Sequence, residues 1–303
     1  MAGQFHMRHY ANREYVDCWK SVMIPRQIPS SISDRAHAPT DVWDWQSLNS
    51  WRSAIWKLLS KYVDQSVINS FVERPLQYVV SDDLTWLEKH IYEVSEIEID
   101  IRSHLAAQLK RQFRAFRGAH ATRAVNLESF YTEGLQPLTS QAANLRAKEI
   151  FLGGDFPELQ EGDLNKAISD AGCELREGRV YFEGNERSLI SQARHYLLYG
   201  SEYLIAIAAH LPRKRDYRQV LKAFGNPTMF VCDVPFRLIP DSMISEFAGA
   251  AIEVVFQELL DESEAFDSLE GGAGFCIYEA LPADCIVGHY HPVNIRDPFN
   301  SFH

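Results

Sequence analysis

From Trp43 to Leu59, large apolar residues recur at three- and four-residue steps: Trp43, Trp45, Leu48, Trp51, Ile55 and Leu58-Leu59. That period puts them on one face of a helix, and a face so rich in tryptophan belongs in a core. A second helix is expected over Asp64 to Phe71. Ser81-Asp82-Asp83 supplies a cap for a third, which runs through Leu84, Leu87 and Ile91. Leu105 and Leu109 carry the helical period on to about Gln112. Ahead of these, Met1 to about Thr40 is mixed and broken by Pro25, Pro29 and Pro39, which predicts a short helix and then an irregular arm. Residues 1–111 therefore read as a mainly α-helical region.

The pattern changes after Arg111, where short β-like runs begin to alternate with helices. Strands are expected over Phe113 to His120, Glu149 to Leu152, Gly178 to Gly184, Tyr203 to His210, Met229 to Phe236, Phe275 to Leu281 and Cys285 to Tyr290. Helices are expected over Leu127 to Glu133, which Gly134 stops, and over Leu164 to Ala171, Ser188 to Tyr199 and Ser242 to Leu260. Asp261 to Gly274 is an acidic, glycine-rich loop. Short strands with intervening helices predict an α+β domain over residues 112–303.

The bulk properties narrow the function. The chain has 303 residues, 46% of them hydrophobic and 23% charged, as in a soluble globular protein. A net charge of −11 disfavours non-specific nucleic-acid binding by the whole surface. Two local basic groups remain as nucleic-acid or pyrophosphate candidates. One is Arg213-Lys-Arg215 with Tyr217, Arg218 and Lys222; the other is Lys110, Arg111, Arg114, Arg117 and Arg123. The N-terminus lacks the apolar core of a secretory signal, and the longest apolar run, Tyr203 to Ala209, is too short for a bilayer. Five cysteines without a CxxC pair read as reduced thiols, so a cytoplasmic protein with no membrane association is expected. His289 and His291 share a strand face, but no further ligand has matching spacing, and no metal site is expected.

Candidate chemistry begins at Gly118-Ala-His-Ala-Thr122. A histidine among small residues at the exit of a strand suits a ligand that approaches the backbone closely. Two later stretches fall into order behind it. Arg179-Val-Tyr-Phe182 is a strand ahead of an aromatic helix that holds Tyr196 and Tyr199. Ile277-Tyr-Glu-Ala-Leu281 precedes Pro282 and Ile286-Val287. In this order, over about residues 112–295, the three stretches resemble the ADP-ribosyltransferase superfamily in its His-Tyr-Glu, diphtheria-toxin-like branch.

The resemblance implies a split mixed sheet with flanking helices. It also implies transfer of ADP-ribose from NAD to a protein or nucleic-acid acceptor, with release of nicotinamide. His120, Tyr181 and Glu279 would be catalytic. His120 would hold a ribose hydroxyl, Tyr181 would stack on nicotinamide, and Glu279 would stabilise an oxocarbenium-like state. The Ala121 backbone would bind the carboxamide of nicotinamide, Thr122 would be a further cofactor-binding residue, Tyr196 or Tyr199 would close the other side, and Arg117 stands in reserve as a cofactor-binding residue. The chain departs from the pattern at Ala121, where the branch has Gly. It departs again at Ile277, where arginine-modifying relatives carry an acid or amide, so arginine is not the expected acceptor. Toxins, effectors and phage-defence proteins are common in this superfamily. An inhibitory or antitoxin partner is therefore expected, with the tryptophan-rich helical face as its docking surface. An NAD glycohydrolase, a phosphotransferase acting on RNA 2′-phosphate and a non-catalytic interaction module on the same fold remain alternatives.

Overall fold

Trp43 lies in a strand and not in the helix that its spacing predicts. Val42–Trp43 form the two-residue strand β1, and the helix α1 spans only Leu48–Leu59. The computed structural model describes residues 37–74, 79–174, 176–212, 214–260, 269 and 273–299. The predicted N-terminal helix and most of the arm lie outside these residues, as does nearly all of the acidic loop. β1 forms because Val42 and Trp43 pair in parallel with Ala115 and Phe116, a tertiary contact that outweighs a local helical period.

Three more helices follow: α2 (Gln65–Glu73), α3 (Thr85–Ser95) and α4 (Ile101–Gln112). Each start has a chemical cause. Asp64 accepts from the Ser66 and Val67 amides, Asp83 Oδ1 from the Thr85 amide at 2.9 Å, and Asp100 from the Ser103 amide. Removing such a cap costs about 1 kcal/mol. Asp64→Ala is accordingly expected to lower stability by roughly that amount in a urea titration, and Asp64→Asn by much less.

The rest of the chain runs β2 (Ala115–Ala124), α5 (Glu128–Glu133), α6 (Ser140–Phe151), α7 (Glu161–Ala171), β3 (Val180–Glu183), α8 (Glu186–Ser191), α9 (His195–Tyr199), α10 (Glu202–His210), α11 (Arg218–Leu221), β4 (Asn226–Pro235), α12 (Asp241–Leu260), β5 (Gly274–Ile277) and β6 (Ile286–Tyr290). Helix and strand are thus mixed as expected, in an α+β fold.

Four expected elements differ. The expected strand at Glu149 to Leu152 is mostly the last turn of α6, where Ala143, Ala147, Ile150 and Phe151 are buried at helical spacing. The expected strand at Tyr203 to His210 is α10. Its start is capped by Ser201 Oγ, and Tyr203 and Ile207 are buried one turn apart. A short apolar run does not by itself distinguish a buried strand from a buried helix. The expected helix from Ser188 to Tyr199 is two short helices, α8 and α9. The strand at Phe275 stops at Ile277, short of Leu281.

The strands lie in the order β5-β3-β2-β4-β6, every neighbouring pair antiparallel, with β1 as a parallel addition to the start of β2. β2 and β4 pair along ten residues, whereas β2 and β3 share one register position, Ala119 with Glu183. The sheet is therefore split beside His120. One face carries Phe116, Phe182, Phe230 and Phe275, which pack with α12 and with Trp43, Trp51, Leu87 and Leu105 of the N-terminal segment in one continuous core. Ala119, Ala121 and Met229 face the other way, against Leu189 of α8 and Leu197 of α9. A second core joins α6, α7, α10 and α11.

This packing overturns the idea of a tryptophan-rich docking face. Trp43, Trp45 and Trp51 are all among the largest fully buried side chains. Among the described residues, no helix is long and apolar enough to cross a membrane.

Candidate functional site

A cleft of about 590 Å³ opens where β2 and β3 part. His120, Ala121 and Thr122 line it from β2, Tyr181 and Glu183 from β3, and Tyr196 from α9. The N-terminal end of α10 contributes Glu202, and Arg176 and Arg179 stand on the approach to β3. Its size suits a small-molecule site.

His120 bridges the split. Its Nδ1 lies 2.8 Å from the Tyr181 carbonyl oxygen. A carbonyl only accepts, so Nδ1 carries the hydrogen and Nε2 is left as an acceptor. Burial pushes the His120 pKa down, against a smaller opposing pull from the Tyr181 carbonyl, so the ring is neutral at physiological pH. Tyr181 is 42% exposed, an unusual state for a strand aromatic. Its hydroxyl accepts from Arg179 Nη1 at 3.3 Å. Opposite, burial and the Glu202 carboxylate push the Tyr196 phenol far up, so it keeps its proton.

The two cleft carboxylates differ sharply. His195 Nε2 lies 3.1 Å from Glu202 Oε1, and Tyr196 and Arg176 add to it, holding the Glu202 pKa at about 2. Glu183 is pushed up by burial, although its Oε1 accepts from the Ala273 amide at 2.7 Å and the Asn185 amide at 3.4 Å. Glu183 belongs to none of the three sequence stretches read for chemistry. The signal available was an acid two residues beyond Tyr181 on the same strand, since alternate residues share a face. Arg176 Nε faces Glu202 at 3.5 Å but is buried without a hydrogen-bond partner.

Three of the residues expected at the site are elsewhere. Arg117 is 1% exposed, and its Nε donates to Asp233 Oδ1 at 2.8 Å, so it is part of the sheet and not of the cleft. Tyr199 is buried in the second core, and its hydroxyl donates to Asp297 Oδ1 at 2.7 Å. Glu279 is exposed in the bend after β5 and does not line the cleft. The next residues fix it there. Leu281 and Leu135 exchange backbone hydrogen bonds of 2.9 and 3.0 Å, against a Gly134 whose φ is +80°. A Cβ at Gly134 would meet the Leu281 oxygen at 1.9 Å, so only glycine permits that contact.

Several of the basic candidates are also occupied. Arg123 donates to the carbonyls of Leu197, Leu198, Lys222, Phe224 and Gly225, clamping α9 to the turn before β4. Arg215, Arg218 and Lys222 each face a carboxylate, those of Glu158, Asp216 and Asp297. Arg213 lies outside the described residues. His289 meets the Tyr131 hydroxyl at 2.8 Å, and His291 meets the Pro227 carbonyl at 2.9 Å. Among the described residues no cluster of three or more His, Cys, Asp or Glu is placed to hold a metal.

The arrangement can therefore hold a flat ring beside two tyrosines, accept a hydroxyl on a neutral histidine, and present one carboxylate, Glu183, held by backbone amides rather than by a described cation. Comparison with family models, curated proteins and solved structures gave no match to the chain.

Proposed function

We propose that the chain is an NAD-dependent ADP-ribosyltransferase that binds the nicotinamide end of NAD in the cleft between β2 and β3. One observation carries the proposal: His120, Tyr181 and Tyr196, from two strands and a helix, converge on a single cleft. The residues suit the substrate. An exposed Tyr181 ring offers a stacking face, worth about 0.5–1.5 kcal/mol beyond area burial. Neutral His120 offers Nε2 to a ribose hydroxyl. Arg176 and Arg179 offer charge to a pyrophosphate, and Arg176 Nε has a hydrogen bond still to make. NAD supplies an activated ribose–nitrogen bond; the protein positions it and excludes water from one side. The acceptor is a protein or a nucleic acid, and ADP-ribose transfer to it would serve a toxin, effector or phage-defence role. A restraining partner would dock on a surface other than the buried tryptophans.

The first test is a calorimetric titration with NAD. Wild type is expected to bind, and His120→Ala to weaken binding at least tenfold, about 1.4 kcal/mol. No binding by the wild type would sink the proposal. The pH dependence has a definite sign. Protonation turns the Nε2 acceptor into a donor, and the His120 pKa is lowered. Affinity should stay level down through the usual histidine range near 6.5 and fall only at lower pH. Labelled NAD in a cell lysate, followed by protease or nuclease digestion, then identifies the acceptor class; nicotinamide release without label marks a glycohydrolase.

A further inference from the structure

We propose that Glu183, and not Glu279, is the carboxylate that stabilises positive charge on the NAD ribose and takes up the acceptor's proton. The assignment rests on the NAD site above. Among the described residues, two carboxylates line the cleft, Glu183 and Glu202. Glu202 is already committed to His195, Tyr196 and Arg176. Among the described residues Glu183 has no cationic partner; burial and backbone amides set its protonation. Its field is therefore unspent, and it sits next to the strand position that precedes His120, through the Ala119–Glu183 pairing.

The neighbourhood keeps that carboxylate in place and accessible. The Ala273 and Asn185 amides grip Oε1, which fixes the group without neutralising it. Oε2 lies over Gly274, the cross-strand partner of Glu183. A Cβ at Gly274 would come within 3.3 Å of Oε2, so glycine there leaves the space beside the oxygen open. Tyr181 and Glu183 share one face of β3, which sets the carboxylate beside the ring that would stack on nicotinamide.

The chemistry balances on these groups. The bond between the ribose anomeric carbon and the pyridinium nitrogen breaks, with both electrons going to nitrogen, and neutral nicotinamide leaves. Ionised Glu183 opposes the charge developing on the ribose. A lone pair on the acceptor forms the new bond to the anomeric carbon, and the acceptor's proton passes to Glu183. A carboxylate with a raised pKa is the better base for that last step.

The test compares full-length wild type, Glu183→Gln and Glu279→Gln for two quantities: NAD affinity by calorimetry, and nicotinamide release in a cell lysate that supplies acceptors. Glu183→Gln keeps an oxygen for the Ala273 amide and is expected to bind NAD within about threefold of wild type, which also certifies its fold. Its nicotinamide release should fall at least a hundredfold, while Glu279→Gln stays within about threefold. Wild-type release should decline in acid with a midpoint above the ordinary glutamate range, because the group must be ionised. Release by Glu183→Gln above a tenth of wild type, or a loss confined to Glu279→Gln, would overturn the assignment and leave the NAD site standing. Wild type that binds NAD but releases no nicotinamide likewise removes the catalytic role alone. Wild type that does not bind NAD removes both.

Discussion

Trp43→Ala is expected to destabilise the protein by about 3–5 kcal/mol, the range for truncating a fully buried aromatic. Trp43 is 0% exposed. Its ring lies 5.3 Å from Phe116 of β2, 5.7 Å from Trp51 of α1 and 6.2 Å from Phe247 of α12. The cavity would therefore open between the N-terminal helices, the sheet and the long helix together. The boundary at residue 111 separates two sequence patterns, but the packing that surrounds Trp43 crosses it. Unfolding should accordingly be one transition. In a urea titration, tryptophan fluorescence and far-ultraviolet circular dichroism should shift by the same amount in Trp43→Ala. Part of the dichroism change persisting at the wild-type midpoint would show that the sheet region folds without the helices. Trp43→Phe provides the contrast. The indole Nε1 is buried with no hydrogen-bond partner, an arrangement that itself costs about 1–3 kcal/mol. Phenylalanine keeps a ring and removes that donor, so the loss should be well under half that of alanine.

Legibility along the chain followed the range of the forces involved. Where a local cause fixed an element, the sequence carried it. Asp64 caps a helix where one was expected, Asp83 bonds the first amide of the next, and Gly134 ends another. The strand that bears His120 was visible, though it runs over Ala115–Ala124 and not Phe113 to His120, and His120, Tyr181 and Tyr196 do share a cleft. Where a distant partner decided, the sequence misled. Trp43 keeps a helical period, yet pairs with Phe116 across more than seventy residues of chain. Tyr203 to His210 has an apolar content that fits strand or helix, and only the cap at Ser201 and the packing against α7 settle it as a helix. Glu279 and Glu183 illustrate the same limit at the site. Position along the chain favoured Glu279, but the Leu135–Leu281 bridge holds it outside. Glu183 enters the cleft through the Ala119–Glu183 and Glu183–Gly274 pairings; the local alternation puts it on the face of Tyr181 but does not say that this face lines the cleft. Arg117 and Tyr199 were assigned to the site by the family resemblance, and the structure bonds them in the interior to acids 116 and 98 residues away.

Arg117→Ala should cost about 3 kcal/mol through the sheet and, if the proposed NAD site is right, leave NAD affinity unchanged. Arg117 and Asp233 are cross-strand partners on β2 and β4, both buried, joined by a bond of 2.8 Å. Removing one member of a buried ion pair strands the other, at about 3–5 kcal/mol. The lower end applies because Arg114 Nη2 stands 3.7 Å from the second Asp233 oxygen and shares in its compensation. Asp233→Ala should cost at least as much, since it leaves the guanidinium buried without that carboxylate. The pair Arg117→Met with Asp233→Leu should recover most of the loss, because two apolar groups need no partners. A double-mutant cycle by urea denaturation measures this directly. A double variant no more stable than either single one would mean that the charges also satisfy other groups in the sheet. Calorimetry at a temperature where Arg117→Ala is still folded separates the two roles considered for this residue. A weakening of NAD binding beyond about threefold would return Arg117 to the proposed site; unchanged affinity leaves the proposed NAD site to His120, Tyr181 and Tyr196, with Arg117 fastening β2 to β4.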